Sequence, residues 1–227
     1  MTGLLVWAVF AFIAMPSAFA CPTAAAKAGA MPTAAHAGGT LNETEIETGL
    51  DRVRTQFEEG KVLHAQITHE LTDAYTGETQ VVEGRLWISR EKYKIIADHQ
   101  SILVDGETSM VYNQLQNKLI ISEYEPEEDD FAPSRFFSEG DDLFQVVDIT
   151  DEGEATCFLL RPDDPFELFT EVSIYLKDDL TPIRIDATDQ MDNTLSTRFT
   201  DAWYMEDAES VFVLDYPDDA EIIDLRK

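Results

Sequence analysis

Two histidines in the first third of the sequence are the closest approach to a metal-binding pair. His64 and His69 are five residues apart in a segment where polar and apolar residues alternate. Successive side chains of a β-strand point to opposite faces of the sheet, so an odd spacing separates the two imidazoles. We therefore expect that these two residues do not share a metal ion.

Pairs of neighbouring aspartates could supply the acid and base of a glycosidase, since such pairs have no fixed spacing. Examples occur at residues 163–164, 178–179 and 218–219. Nearly all such pairs fall where turns between strands are predicted, and acidic residues are common in solvated turns. We therefore interpret them as turn residues.

The motifs that mark common catalytic sites are missing from the sequence. It contains no G-x-S-x-G, no H-E-x-x-H, no phosphate-binding glycine loop and no C-x-x-C. We expect no catalytic residue, no cofactor and no metal. The chain is interpreted as a binding protein with an apolar ligand, because a sheet lined on one side with aliphatic residues can form an apolar cavity.

The charge of the chain restricts its partners. Among 227 residues, 16 lysines and arginines face 45 aspartates and glutamates, which gives a formal net charge of −29. Nucleic acid would be repelled, and an anionic membrane surface is disfavoured for the same reason. With 44% hydrophobic and 10% aromatic residues, the sequence predicts a folded domain with an acidic exterior.

The first forty residues look like an export signal followed by a linker. Residues 3–15 are uncharged and apolar, and Ala18-Phe19-Ala20 supplies a small-x-small cleavage site, so residues 1–20 are predicted to be a signal peptide. We expect cleavage before Cys21 and a periplasmic product; lipidation of Cys21 is the alternative. Residues 21–40 are rich in Ala, Thr and Gly and predict a flexible linker. The other cysteine, Cys157, is expected to be a small buried side chain.

The folded domain is predicted to cover residues 41–227 and to open with a helix. Residues 40–43 have the spacing of a capping box, and Ile46, Leu50, Val53 and Phe57 recur at helical intervals before Gly60 ends the helix.

Short alternating segments separated by turn signals follow the helix, which predicts a mainly β, antiparallel domain with one apolar face. The predicted strands are residues 62–71, 79–90, 92–98, 101–105, 108–113, 118–123, 143–149, 155–161, 168–177, 181–189, 194–203 and 210–216. Residues 124–140 interrupt the pattern. Because this polar stretch carries Phe131, Phe136 and Phe137, we expect a loop and a short helical segment laid against the sheet.

Several motifs, taken in order, resemble one known family. They are VVEGRLWISR at residues 81–90, YKI at 93–95, SILVDG at 101–106 and MVYN at 110–113, with a closing FVLDYP at 212–217. This pattern is similar to that of the bacterial outer-membrane lipoprotein carrier (LolA) family, from about residue 43 to residue 220. The sequence departs from it at Glu91, where the family usually has proline, and at Met110, where an aromatic residue is common.

The resemblance implies an unclosed β-barrel of about eleven strands with an N-terminal helix and short lid helices. Proteins of this family hold the acyl chains of lipoproteins in transit across the periplasm. They accept acylated lipoproteins from an inner-membrane ABC lipoprotein exporter and pass them to an outer-membrane acceptor. For this chain, the resemblance therefore implies a non-enzymatic carrier, and we expect a monomer.

Five residues are candidates for the ligand and lid site. By the resemblance, Arg90 corresponds to the arginine that bonds to the lid, and Tyr93 to an aromatic residue implicated in cargo handling. Alternation places Val82, Leu86 and Ile88 on one apolar strand face that ends at Arg90. The other possibility is that Arg90 points into solvent and pairs with Glu91 or another carboxylate. Trp87 points to the opposite face, where we expect it to pack under the helix.

Related sheets occur in proteins with other ligands, so alternatives stay open at this point. The chain could carry another amphiphile, such as a glycolipid or pigment precursor. It could be a lipid-active hydrolase, which would require two carboxylates or a Ser/His pair converging in the cavity. If Cys21 were lipidated, an anchored receptor would be expected instead of a shuttle.

Overall fold

The computed structural model describes residues 43–126, 129, 143–206 and 209–226, with side chains from Leu50 onward except that of residue 209. Within these residues the chain forms helix α1 (Glu43–Glu58), a 3-10 turn (Glu209–Val211) and twelve strands. The strands are β1 (Val62–Thr72), β2 (Thr79–Ile88), β3 (Tyr93–Ala97), β4 (Gln100–Val104), β5 (Thr108–Asn113), β6 (Lys118–Glu123), β7 (Phe144–Asp151), β8 (Thr156–Pro162), β9 (Phe169–Leu176), β10 (Pro182–Asp189), β11 (Thr194–Met205) and β12 (Glu221–Asp224). No helix in the described part of the chain is long and apolar enough to cross a membrane.

Helix α1 confirms the helical spacing read from the sequence. Leu50, Val53 and Phe57 are all buried. The helix ends where Gly60 adopts a φ of +82°, a left-handed conformation that glycine tolerates best. The predicted capping box starts at residue 40, which lies outside the described residues, as does the side chain of Ile46.

All twelve described strands belong to one sheet, in the order β12-β6-β5-β4-β3-β2-β1-β11-β10-β9-β8-β7. Neighbours in the sheet are mostly neighbours in sequence, and the long-range pairing of β1 with β11 joins its two halves. The outer strands β7 and β12 do not pair with each other, so the sheet is unclosed, as expected. The register shifts between β1 and β11, where Asp201 has a φ of +49°, and in β7, between Val146 and Asp148. Two further shifts lie between β9 and β10.

The sheet has two unequal faces. The face on which α1 packs, here called the inner face, carries the larger core, in which Leu50, Val53 and Phe57 meet residues from both halves of the sheet. On the outer face a smaller cluster contains Leu103, Tyr112, Leu119 and Leu214. The prediction of a mainly β domain with one N-terminal helix is therefore confirmed.

The prediction of a strand at residues 210–216 is wrong. This segment contains the 3-10 turn and an irregular stretch, and its Phe212 and Leu214 pack on the outer-face cluster. Its backbone carbonyls at Val211 and Val213 accept hydrogen bonds from the buried ammonium group of Lys94, at 3.2 and 2.5 Å. The last strand is instead β12, which pairs with β6 in parallel, so the sheet is not wholly antiparallel.

Trp87 lies on the outer face and not under the helix, which corrects the expectation from the sequence. In the register of the sheet it stands between Lys94 of β3 and His64 of β1. The ring of His64 meets Trp87 edge to face with centroids 4.9 Å apart and lies 4.2 Å from the ring of Trp203. The Lys94 ammonium lies 5.5 Å from the centroid of Trp87, within the range of a cation–π contact. Trp87 therefore belongs to an aromatic row on the face that α1 does not touch.

Candidate functional site

A row of aliphatic side chains crosses the inner face from β2 to β6. Its members are directly paired across successive strands and are Leu86, Ile95, Ile102, Val111 and Ile120. Leu86 and Ile102 are buried, whereas Ile95, Val111 and Ile120 are half-buried. Four strand spacings of about 4.8 Å give this aliphatic row a length of about 19 Å. The row is therefore a continuous apolar track of the order of an extended fatty acyl chain.

The other half of the inner face is a packed core under α1. Phe57 of the helix meets Tyr204 of β11 edge to face, with centroids 6.0 Å apart. Leu63 of β1 and Ile88 of β2 are directly paired and each is only 1% exposed. This half is therefore mainly a packed core, although it also has half-buried apolar residues such as Leu71 and Ile185. The aliphatic row offers its half-buried side chains in one continuous register.

A buried carboxylate stands next to the aliphatic row. Asp129 is 2% exposed and accepts hydrogen bonds from the hydroxyls of Tyr93, at 2.7 Å, and Tyr124, at 3.1 Å. The two phenol rings meet edge to face with centroids 6.5 Å apart. Burial, followed by the negative charge of Asp129, raises the pKa of Tyr93 well above its ordinary value. The Tyr93 hydroxyl therefore stays protonated and keeps donating.

A second polar contact on the inner face involves one of the two histidines. Nδ1 of His69 lies 2.8 Å from the hydroxyl of Thr197, its direct neighbour on β11. Burial lowers the pKa of His69, so the neutral ring is favoured. His69 pairs with Val82 and His64 with Trp87, which places the two histidines on opposite faces, as the odd spacing predicted. The described residues contain no group of three metal-binding side chains.

Four of the five site residues predicted from the sequence come together on the inner face. Ile88 is directly paired with Tyr93, Leu86 belongs to the aliphatic row, and Val82 lies half-buried further along β2. Leu86 and Ile88 are 2% and 1% exposed, so they form the floor of the site and not its accessible surface.

Arg90, the fifth predicted residue, lies outside the strand. Strand β2 ends at Ile88, because Ser89 and Lys92 close a turn in which the Ser89 amide donates to the Lys92 carbonyl at 2.8 Å. The side chain of Arg90 is exposed at this turn. Strand alternation therefore does not extend to Arg90. Of residues 124–140, predicted as a loop and a short helical segment against the sheet, only 124–126 and 129 are described. The contact of Arg90 with a lid, which the resemblance implies, stays a prediction.

The glycine of the VVEGRLW segment has a steric role. A Cβ atom on Gly84 would lie 2.5 Å from the backbone oxygen of Ile96 and 3.2 Å from the side chain of Ala97. Real Cβ atoms do not approach a backbone oxygen so closely. Gly84 therefore permits the close approach of β2 and β3 beside the aliphatic row.

Sequence reasoning missed Asp129 and Tyr124. Asp129 belongs to an acidic run that looks solvated, and nothing in the sequence distinguishes it from the other acids of that run. The outer residues of the aliphatic row, such as Ile95 and Ile102, could have been found from strand alternation and pairing. Cys157 is half-buried and free, and burial raises the pKa of its thiol, which disfavours the reactive thiolate. Cys21 lies outside the described residues.

The sequence was compared with protein families and with curated protein sequences. The model of the family described as "Outer membrane lipoprotein carrier protein LolA" matches residues 58–212. No curated protein sequence matches the chain.

Solved structures give a further comparison. An uncharacterized conserved protein from Thermus thermophilus is 15% identical, with a TM-score of 0.53 over 80% of this chain and 98% of the other. A LolA superfamily protein from Nitrosomonas europaea is 11% identical, with a TM-score of 0.42 over 74% and 99%. The MucA/MucB complex of Pseudomonas aeruginosa is matched at 12% identity, with a TM-score of 0.44 over 75% and 61%. At such identities the Thermus likeness is one of fold.

The family match covers β1 to β11 and includes Gly84, the Tyr93 site and the whole aliphatic row. Together with the unclosed sheet, it establishes that the chain belongs to the outer membrane lipoprotein carrier protein LolA family.

Proposed function

We propose that this chain is a periplasmic carrier that binds the acyl chains of lipoproteins along its inner face. In this proposal it takes acylated lipoproteins from an inner-membrane ABC exporter and delivers them to an outer-membrane acceptor. The family is one of carriers and not of enzymes, and the proposal contains no catalytic step. The periplasmic location rests on the predicted signal peptide and on the family.

The observation that carries the proposal is the aliphatic row. Three of its members, Ile95, Val111 and Ile120, are only half-buried and lie in register on one face. Burial of each methylene of an acyl chain contributes about 0.8 kcal/mol. Full burial of a dozen methylenes therefore contributes about 10 kcal/mol. This is comparable with an association cost of about 4–15 kcal/mol, so most of the chain must be covered for binding to be favourable. A track of about 19 Å has the length that such coverage requires.

The polar groups of the site support release as well as binding. Tyr93 and Asp129 form a hydrogen-bonded pair within a mostly apolar surface, so any occupant must leave this pair intact or satisfy both groups in another way. Arg90 lies exposed in the turn immediately before β3. We propose that Arg90 bonds to the lid segment in the empty carrier and that this contact breaks when cargo enters.

The experiment that tests the proposal is identification of the lipids that copurify with the protein from the periplasm of its native host. We expect triacylated lipoproteins in the mass spectrum. Recovery of another amphiphile, such as a glycolipid, would make the chain a carrier of that compound. A protein that never contains an acyl chain would refute the carrier function.

A matched pair of variants links binding to the inner face. Ile95 and Ile96 are adjacent in β3, are both half-buried and point to opposite faces. We expect Ile95→Ser to reduce the bound acyl chain strongly and Ile96→Ser to leave it nearly unchanged. Equal losses in both variants would show that stability, and not the inner face, determines binding. Urea unfolding of the two variants separates these cases.

A further inference from the structure

Three loops at one end of the sheet expose large apolar side chains at their tips. They are residues 73–78 between β1 and β2, 163–168 between β8 and β9, and 189–193 at the β10–β11 turn, and they are here called the rim loops. Tyr75 is 98% exposed, Phe166 is 92% exposed and Met191 is 68% exposed. Of the described large apolar residues, only Leu115 is comparably exposed, and its turn is separated from the rim loops by β3 and β4.

The same local structure presents each of the three tip residues. The backbone N–H groups of Tyr75, Phe166 and Met191 each donate to an aspartate two residues earlier. The acceptors are Asp73 at 2.9 Å, Asp164 at 2.9 Å and Asp189 at 2.7 Å. Such Asx turns fix the backbone without help from the rest of the fold. Three separate turns therefore hold the tip residues in exposed positions.

Hydrogen bonds between the rim loops join them into one surface. The Ala74 amide donates to Oδ1 of Asn193 at 2.9 Å. Nε2 of Gln190 donates to the carbonyls of Pro165, at 2.9 Å, and Glu167, at 2.8 Å. The β10–β11 turn thus bonds to the loop on each side of it. Since successive rim loops are two strands apart in the sheet, their tips form a line with steps of about 10 Å.

The charge of the rim loops is entirely negative. They contain seven carboxylates and no lysine or arginine; the acids are Asp73, Glu78, Asp163, Asp164, Glu167, Asp189 and Asp192. An anionic bilayer would be repelled by this surface. A protein surface with lysine and arginine around apolar pockets would be complementary to it, and aromatic residues and methionine are the side chains enriched in protein interfaces.

We propose that the rim loops are the docking surface for a protein partner whose contact face carries apolar pockets ringed by lysine and arginine. The inner face reaches this end of the sheet. The last pair of residues between β1 and β11 is Thr72 with Thr194, and the pair next to it is Leu71 with Leu195. A partner docked here meets the end of the apolar surface. Its assignment as the cargo-exchange partner rests on the proposed function; the docking surface itself does not.

Site-specific photocrosslinking in the native host tests the proposal. A benzophenone amino acid is placed at position 166, with position 115 as the control of similar exposure. We expect one specific protein adduct from position 166 and none from 115. The adduct must map to a basic surface of that protein. Adducts with many proteins, with a surface lacking lysine and arginine, or with no protein would overturn the proposal.

Binding of the purified partner then measures the contributions of the apolar tip residues and of the carboxylates to affinity. The variant Tyr75→Ser/Phe166→Ser/Met191→Ser is expected to lose at least 100-fold in affinity, since each buried anchor is worth about tenfold or more, and Leu115→Ser is expected to lose none. Glu78→Gln/Asp192→Asn keeps all three Asx turns. It should weaken binding about tenfold at low salt and much less at 1 M, where charges are screened beyond about 3 Å. Unchanged affinity in the triple variant would contradict the proposal.

Vesicles of phosphatidylcholine and of phosphatidylglycerol test whether the rim loops bind a membrane instead of a protein. Binding of the wild type that is lost in the triple variant would assign the rim loops to a lipid surface and overturn the proposal. The acyl chains that copurify with the triple variant are measured in parallel, and we expect them to be unchanged. Docking without acyl chains would refute the proposed function alone, and acyl chains without docking would refute this inference alone.

Discussion

The hydroxyl of Tyr93 donates a hydrogen bond to the buried carboxylate of Asp129 across 36 residues of sequence, at 2.7 Å. A charged acceptor shortens and strengthens such a bond. The contact ties Asp129, which belongs to a stretch between β6 and β7, to the first residue of β3 on the inner face. It therefore couples Asp129 to the strand that supplies the aliphatic row with Ile95.

We expect Tyr93→Phe to destabilise the protein by about 1–3 kcal/mol, because it removes a donor from a carboxylate that is only 2% exposed. Urea unfolding measures the loss. Tyr124→Phe is the matched control, and its smaller loss is expected from its longer bond of 3.1 Å. Equal stability of Tyr93→Phe and the wild type would show that the bond contributes nothing.

We expect the free energy of unfolding to fall as the pH is lowered from 7 to 5. Burial, and for His64 the nearby charge of Arg85, lower the pKa values of His64 and His69. In the unfolded chain both histidines bind protons near pH 6.5. The unfolded state therefore binds more protons in this window, and stability is lost as the pH falls. The double variant His64→Phe/His69→Gln should flatten the dependence measured by urea unfolding at pH 5, 6 and 7. An undiminished decline in that variant would assign the effect to other groups.

We expect Arg90→Leu to leave stability within about 0.5 kcal/mol of the wild type, because the side chain is exposed in a turn. Cargo release should become several-fold poorer if Arg90 balances the open and closed states as proposed. Transfer of a labelled lipoprotein to acceptor membranes measures this. Arg161→Leu, at an exposed arginine paired with Glu171, is the control and should transfer normally. Normal transfer by Arg90→Leu would count against the lid role.

We expect Gly84→Ala to cost about 1–3 kcal/mol, since strands β2 and β3 must separate to admit the added methyl group. Gly77→Ala is the comparison, because Gly77 has a φ of +70° and an added methyl group there would meet nothing within 4 Å, so only backbone strain opposes it. Thermal unfolding and acyl-chain binding should both be impaired in Gly84→Ala. Binding should survive in Gly77→Ala, and its loss there would remove the special role of Gly84.

Much of the fold could be predicted because its signals are local. Each element buries one of its sides, and this shows within the element's own sequence. Examples are the helical spacing of Leu50, Val53 and Phe57 and the alternation around Ile67. Gly60 marked the end of the helix for the same reason. The prediction that Val82, Leu86 and Ile88 share one face was correct, because β2 is regular from end to end.

The errors share a different cause, which is that contacts between residues distant in sequence decide these positions. Residues 210–216 contain a short apolar run that is typical of a strand, but the Lys94 ammonium binds two of their carbonyls, and Phe212 and Leu214 pack on the outer-face cluster. Trp87 was expected under the helix, although the partners that place it on the outer face, His64 and Lys94, come from two other strands. Asp129 likewise bonds to Tyr93, which lies 36 residues earlier in the sequence.

The register shift in β7 bears on how this protein avoids self-association. An outer strand presents unpaired backbone groups that can template another chain into a growing fibre. In β7 the shift between Val146 and Asp148 interrupts the regular spacing of those groups, and Val147, at the shift, is 48% exposed. At the opposite end of the sheet, β12 has only four residues, two of them acidic. Both outer strands are therefore poor templates for strand addition, so the sheet can stay open without polymerising.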